Sequence, residues 1–207
     1  MRARSRTAQA RIASERNCTL IHFSSDFVFD GVAPGPYDES TPPHPRGAYA
    51  SSKLIGEWFA SEVPRHYLLR VESLFGGPVA KSTIDGMYAA FAANREVRAF
   101  SDRTVSPSYV GDVAAAAIAL ATGTTPFGLY HCVNSGHTTW LGVARELARL
   151  MGRRESLITP VTFAGVAMKV PRPQHAALSN EKLKRAGIVM PTWQDALARY
   201  VANRSAT

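Results

Sequence analysis

The sequence predicts an α/β fold built on a parallel sheet, and three observations carry that prediction. Short, nearly continuous apolar runs recur at 18–23 (CTLIHF), 66–71 (HYLLRV) and 128–133 (GLYHCV), as expected of parallel strands covered on both faces. Segments with helical periodicity lie between and after them, and strands alternating with helices imply crossover units. The chain is 207 residues long, with 45% hydrophobic and 19% charged residues. That is enough to bury a core as one large domain, or as one domain plus a small lobe.

Taken in order, residues 7–16 have weak helical character and lead into the first strand. The loop DGVAPGPYDESTPPHPRG that follows holds five of the thirteen prolines, so it forms neither helix nor central strand. Helical periodicity runs from Ala48 to about Glu62, with Leu54, Ile55, Trp58 and Phe59 expected on the buried face. Strand 66–71 ends in ESLFGG. A helix around 82–94, a strand near 97–100, a helix over 110–122 and strand 128–133 continue the alternation. The amphipathic stretch TTWLGVARELARLMG (138–152) predicts a helix with Gly152 past its C-terminus. After a proline-punctuated stretch, two short helices close the chain near 179–186 and 192–203. There is no internal repeat.

Cys18 and Cys132 sit in apolar contexts and read as buried strand thiols. Neither suggests a disulfide framework, so a reducing cytoplasm is the expected compartment. His22 and His131 read as core residues, and His137, in SGHTTW, as a solvated turn residue. The histidines and cysteines show no paired ligand spacing, so no metal is expected. No apolar run approaches the roughly 18–20 residues of a membrane span. The net charge is +8, but residues 1–16 hold five Arg and one Glu, and no basic stripe interleaved with aromatics follows. Nucleic-acid binding is therefore not expected, whereas a mildly positive field suits an anionic substrate such as a nucleotide-sugar. The basic start is followed by no secretory apolar region.

Chemistry-bearing residues cluster in two places. SSDFVFDG (24–31) closes the first strand, where the sites of open α/β sheets lie, and YASSK (49–53) opens the next helix. Tyr49 and Lys53 are four apart and share a helix face. A free phenol is too weak an acid for proton transfer at neutral pH, and an ammonium a few ångströms away favours the phenolate. With the Ser25 hydroxyl beside a carbonyl oxygen, the three groups suit ketone reduction, with hydride from a nicotinamide and a proton from Tyr49. The spacing alone is weak evidence in a chain with seven Tyr. A hydrolase using Ser24 or Ser25 with Asp26 and a histidine is disfavoured: there is no G-x-S-x-G elbow, and adjacent strand residues point to opposite faces.

The stretches FSSDFVFDG, PYDE and YASSKLIGE, with LLRVESLFGG, DRTVSPSYVGDVA, GLYHCVNSGHTTW and RPQHAALSNEKLKRAGIVMPTWQDAL downstream, resemble the dTDP-4-dehydrorhamnose reductase family of extended short-chain dehydrogenases. The resemblance runs from about residue 10 to the C-terminus. It implies a partial Rossmann-like sheet with a small C-terminal substrate lobe. On that scheme 1–16 is a basic helix remnant, 17–135 the later part of the Rossmann-like domain with substrate-lobe segments interleaved at about 76–110, and 136–207 the substrate-binding lobe with closing helices. It implies NADPH or NADH as cofactor, a 4-keto-6-deoxy nucleotide-sugar as substrate, and room for a homodimer. By position, Tyr49 resembles the proton donor, Lys53 the residue on the nicotinamide ribose, and Ser25 the hydroxyl near the substrate carbonyl. Asp26 and Ser73 fall at substrate-side positions. Arg70 matches a strand-end Arg that contacts cofactor or forms a structural ion pair. Two departures stand out: Ser73 replaces an aromatic that would stack on the sugar, and Glu72 replaces a neutral residue.

The family opens with a strand and a G-x-x-G-x-x-G turn that binds the cofactor pyrophosphate at a helix N-terminus. The first glycine here is Gly31, and that spacing occurs nowhere. The expectation is an N-terminally truncated reductase, a fragment or mis-started frame, that binds NAD(P)H weakly. Its first strand would lie at an exposed apolar edge. The alternative is a non-catalytic sugar-nucleotide-binding or regulatory subunit of the same superfamily.

Overall fold

The computed structural model describes residues 2–166 and 172–205, without the side chains at the start of the first helix or of Ser205. Helix α1 (Arg2–Glu15) buries Ala10 and Ala13 against Val63 and Leu20. Strand β1 (Leu20–Ser25) pairs in parallel with β2 (His66–Val71), and β2 in parallel with β7 (Gly128–His131). The central strand β2 is buried from Tyr67 to Val71, which accounts for its unbroken apolar reading. One face is covered by Val113, Ala116 and Leu120 of α4 (Val110–Thr122), with Leu183 of α6 (Glu181–Arg185). On the other, Leu54 of α2 (Ala48–Ser61) packs with Val28, Phe29, Tyr37, Val133 and Leu178.

A second core lies among α3 (Thr83–Ala92), α5 (Trp140–Leu150) and α7 (Trp193–Ser205), filled by Ile84, Phe91, Leu147, Leu197 and Tyr200. Against it, β4 (Val97–Phe100) pairs in parallel with β9 (Ile158–Val161). Four two-residue strands escape any periodicity test. Of these, β3 (Leu74–Phe75) pairs with β6 (Ser108–Tyr109), and β5 (Thr104–Val105) with β8 (Thr138–Thr139). Strand β9 falls in the proline-punctuated stretch that precedes the closing helices. Its Pro160 is tolerated because β9 has one strand neighbour, leaving one side without ladder bonds. Helix α5 starts at Trp140, where the Thr139 hydroxyl accepts from the Gly142 N–H at 3.1 Å. It stops at Gly152, whose φ of 61° is expensive for a residue with a Cβ. Arg153 N–H to Ala148 C=O and Gly152 N–H to Arg149 C=O complete a Schellman turn.

Two expectations are corrected. The inner face of α2 is Ala50, Leu54 and Glu57, whereas Ile55 and Trp58 are 39% and 61% exposed. The helix is rotated to bring Glu57 inward, because Arg70 of β2 meets it there. Cys18 is exposed, in the turn before β1, while Cys132 is buried and its thiol is pushed up to about 12 by burial. A disulfide-exchange reagent should therefore label one thiol quickly in native protein and the second only on unfolding. Two fast equivalents would contradict this packing.

Strand β1 has a strand neighbour on one side only among the described residues, and its Phe23 is 43% exposed. His131 is fully buried, as its core reading requires, and His137 is exposed.

Candidate active site

The site forms where β1 ends. Ser25 caps a single 3-10 turn (Asp26–Val28), and its Oγ accepts the Phe27 N–H at 3.3 Å. Its hydroxyl donates to Asp26 Oδ1 at 2.7 Å. Ser25 and Asp26 are 7% and 4% exposed. Gly47, with φ 89°, turns the chain into α2 and sets Tyr49 in the first helical turn. The Phe27 ring meets the Tyr49 ring edge-on, with centroids 5.5 Å apart. Lys53 donates to the Phe23 carbonyl at 3.3 Å and lies 5.9 Å from the Tyr49 ring centroid. Tyr49, Lys53 and Ser25 are thus brought to one place: α2 supplies phenol and ammonium, β1 supplies the hydroxyl, and Phe27 links them. Tyr49 is 52% exposed, which leaves its hydroxyl open to a ligand.

A cleft runs from this point toward the second core. Its nearer part, a cavity of about 320 Å³, is lined by Phe27, Phe29, Arg46, Phe163 and Arg172. A second cavity of about 230 Å³ is lined by Asp26, Ser73, Lys81, Arg103, Trp140 and Arg172. A third, of about 360 Å³, continues past Arg103 and Arg172 to Arg98. Asp26 and Ser73 both line the second cavity. Ser73 takes φ 42°, an αL conformation that turns the chain sharply after β2.

Arg70 is a correction. Its guanidinium makes two bonds to Glu57, Nε–Oε1 at 2.9 Å and Nη2–Oε2 at 2.7 Å, and the residue is 3% exposed. It stacks over Phe29 at 5.0 Å and lines none of these cavities. Both partners are engaged in a structural ion pair, so a cofactor contact has no geometric support.

The electrostatics of the cleft were not legible in the sequence. Burial lifts Asp26 to about 6 against the opposing pull of Ser25 and Arg103. Glu72, 3% exposed, is pushed well above the ordinary carboxylate range by burial first and the Asp26 charge second. The Ser106 N–H donates to its Oε2 at 2.6 Å. Arg103, 8% exposed, donates from Nε to the Pro173 carbonyl at 3.0 Å. Burial and the Arg172 charge lower its pKa. Of the cations Lys81, Arg103 and Arg172 in this lining, Arg103 is buried, while Lys81 and Arg172 are exposed. Nothing local marks which of the 24 Lys and Arg residues line a cavity.

His131 behaves oppositely to the two carboxyls. Burial, then Arg70, depresses it from 6.5 to about 3. Between those values the unfolded chain takes up a proton that the folded chain refuses, so this stabilisation is lost as pH falls. Asp26, with its folded value raised from 3.8 to about 6, becomes more favourable over the same fall. Replacing His131 by Asn should therefore flatten the loss of stability between pH 6.5 and 4, by up to about 1.4 kcal/mol per pH unit. Urea unfolding at stepped pH measures it, and parallel curves for parent and variant would refute the assignment.

Among the described residues, no group of three His, Cys, Asp or Glu could hold a metal ion. No described helix is long and apolar enough to cross a membrane.

With this geometry in view, the family description "RmlD substrate binding domain" matches residues 1–206. The chain belongs to the RmlD substrate binding domain family. It is 32% identical over 185 residues to the spore coat polysaccharide biosynthesis protein SpsK of Bacillus subtilis, covering 89% of this chain and 64% of that protein. It is 32% identical over 199 residues to a dTDP-4-dehydrorhamnose reductase of Mycobacterium tuberculosis, covering 93% of this chain and 66% of that one. The chain thus spans just under two thirds of the length of these curated relatives. Among solved structures of the RmlD kind, a dTDP-4-dehydrorhamnose reductase from Clostridium acetobutylicum superposes with a TM-score of 0.88 at 25% identity, over 97% of this chain and 71% of that one. One from Bacillus anthracis, in complex with NADP, gives 0.87 at 26%, over 96% and 70%. The α/β fold with its parallel sheet is the fold of these RmlD relatives.

Proposed function

We propose that the chain carries the proton-transfer and substrate-binding side of an NAD(P)H-dependent reductase. Its substrate is a 4-keto-6-deoxy nucleotide-sugar, in deoxysugar or surface-polysaccharide synthesis in the cytoplasm. The observation that carries this reading is that Phe27, which packs on Tyr49 and donates its N–H to Ser25, lines a cavity together with Asp26, Lys81, Arg103 and Arg172. An open phenol with an ammonium one helical turn away, on the flank of β1, fits the nicotinamide-ribose end of the cofactor. When bound, the nicotinamide supplies the hydride.

Tyr49 Oη gives its proton to the carbonyl oxygen as the C=O bond opens to C–OH, and the new C–H bond forms on the carbon. The Ser25 hydroxyl donates to the same oxygen, where negative charge develops. Lys53 holds the ribose hydroxyls and offsets the phenolate left behind. Arg103, Arg172 and Lys81 suit the diphosphate, with guanidinium forks matched to its oxygens. The aromatic walls of the nearer cavity, Phe27, Phe29 and Phe163, exclude water from the reacting face.

The test is NADPH and NADH oxidation by this chain with a dTDP-4-keto-6-deoxy sugar. Turnover dependent on both ligands supports the reading. No turnover with either cofactor, alongside a stably co-purifying partner protein, would instead favour the non-catalytic subunit and overturn it.

A further inference from the structure

One wall of the second cavity is held by a carboxylate that does not itself face it. Lys81, Ser82, Thr83 and Ile84 all line that cavity, and the chain reaches them from β3 through Gly76, Gly77 and Pro78. Among the described residues, Gly76 to Lys81 take part in no hydrogen bond within the chain. Behind this loop lies a further cavity of about 320 Å³, lined by Gly77 and Pro78 of the loop and by Tyr200 and Arg204 of α7. A lysine carried on such a loop, with open space behind it, would sample many positions, and ordering it would cost any contact it makes. The first fixed point past the loop is Ser82, next to Lys81.

Asp85 makes that fixed point. Its Oδ2 accepts the Ser82 N–H at 2.9 Å and the Ser82 hydroxyl at 2.7 Å, and its own N–H donates to Ser82 Oγ at 3.0 Å. This is a capping box at the start of α3, and it uses one carboxylate oxygen. The other oxygen, Oδ1, reaches α7, where it accepts the Tyr200 hydroxyl at 2.7 Å and Arg204 Nη2 at 2.8 Å. Tyr200 is 2% exposed, and its ring meets Phe75 and Tyr88 edge-on at 5.5 and 5.7 Å. Close packing leaves that anchor little freedom. Asp85 is itself buried and lines none of the four cavities.

We propose that Asp85 is a positioning residue for anion binding: by tying Ser82 to α7 it holds Lys81 at the second cavity, where the ammonium meets the diphosphate of the bound nucleotide. Charge-assisted bonds to both carboxylate oxygens suit this task, because they fix two elements in one geometry. That the anion is a diphosphate rests on the reductase reading above, whereas the dependence of Lys81 on Asp85 does not.

The probe is dTDP, titrated calorimetrically into the full chain. Asp85→Asn keeps the capping box through its amide oxygen but offers Arg204 no anion. It should raise the Kd about tenfold, on the order of one charge-assisted hydrogen bond. Arg204→Met leaves the box whole and should raise the Kd in the same direction, so it carries the test where Asp85→Asn fails to fold. A loss of packing alone would weaken dTDP with or without the Lys81 ammonium. Each variant is therefore repeated in Lys81→Met, where its effect should shrink to less than about twofold, the scatter of such cycles. An unchanged Kd in the foldable variant, or the same increase in both backgrounds, overturns the proposal, as does a parent that binds no dTDP. In turnover, KM for the nucleotide-sugar should rise with kcat unchanged, and a fall confined to kcat overturns the positioning role. Absence of turnover in a parent that binds dTDP defeats the reductase reading, while the binding cycle still decides the role of Asp85.

Discussion

Tyr49→Phe is expected to lower kcat for reduction of the 4-keto sugar by about 10²–10⁴-fold, the range for loss of a positioned proton donor. Its ring already packs edge-on against Phe27 at 5.5 Å, and Phe preserves that contact. The hydroxyl takes part in no described hydrogen bond within the chain and is half-exposed, so the fold loses nothing when it goes. Binding of nucleotide-sugar and of cofactor should stay within a few-fold, because the lost group acts mainly in the transition state. Rate assays paired with titration calorimetry read both quantities. A variant that turns over at the parental rate removes Tyr49 from the chemistry and leaves the cleft as a binding site only.

Arg70→Ala is expected to have the largest effect on stability. Removing the guanidinium leaves Glu57, 5% exposed, as a buried carboxylate without its partner. Breaking such a pair from one side costs about 3–5 kcal/mol, and for a chain of this size each kcal/mol shifts Tm by about 2–4 °C. A drop on the order of 10 °C should follow. The Phe29 face also loses the cation stacked over it at 5.0 Å. The double variant Arg70→Met/Glu57→Leu should recover most of the loss, because neither buried charge then remains. Equal Tm for parent and Arg70→Ala would show that the pair carries no stability, and would reopen Arg70 as a ligand contact.

The elements that periodicity describes well were legible before any coordinates. Strand β2 announces itself through HYLLRV because both of its faces are covered. Helix α5 does so through its amphipathic spacing and the αL glycine that ends it. Strand β9 was not legible, since four residues containing a proline give no period to read. Its existence depends on Val97–Phe100 lying alongside. The face of α2 was misread for a related reason. Hydrophobicity alone turns Ile55 and Trp58 inward, whereas the buried demand of Arg70 turns Glu57 inward instead. A charged residue's partner thirteen positions away in sequence overrides the local pattern.

The same division runs through the site. Tyr49, Lys53 and Ser25 could be found because a helical turn and a strand end are local features with fixed geometry. Glu72 was visible only as a departure from a resemblance. Its significance arises where β2 ends beside the end of β1, as the Ser25↔Val71 register sets it. There its carboxyl is buried and accepts the Ser106 N–H from a distant loop. By itself the sequence determined the alternation of strands and helices and the chemical types at the strand end and the helix start, because these follow from short-range sterics and periodicity. The tertiary structure alone decided which charges are buried together and where the Ser25 proton points, because desolvation and charge pairing depend on distances in space and not on separation along the chain.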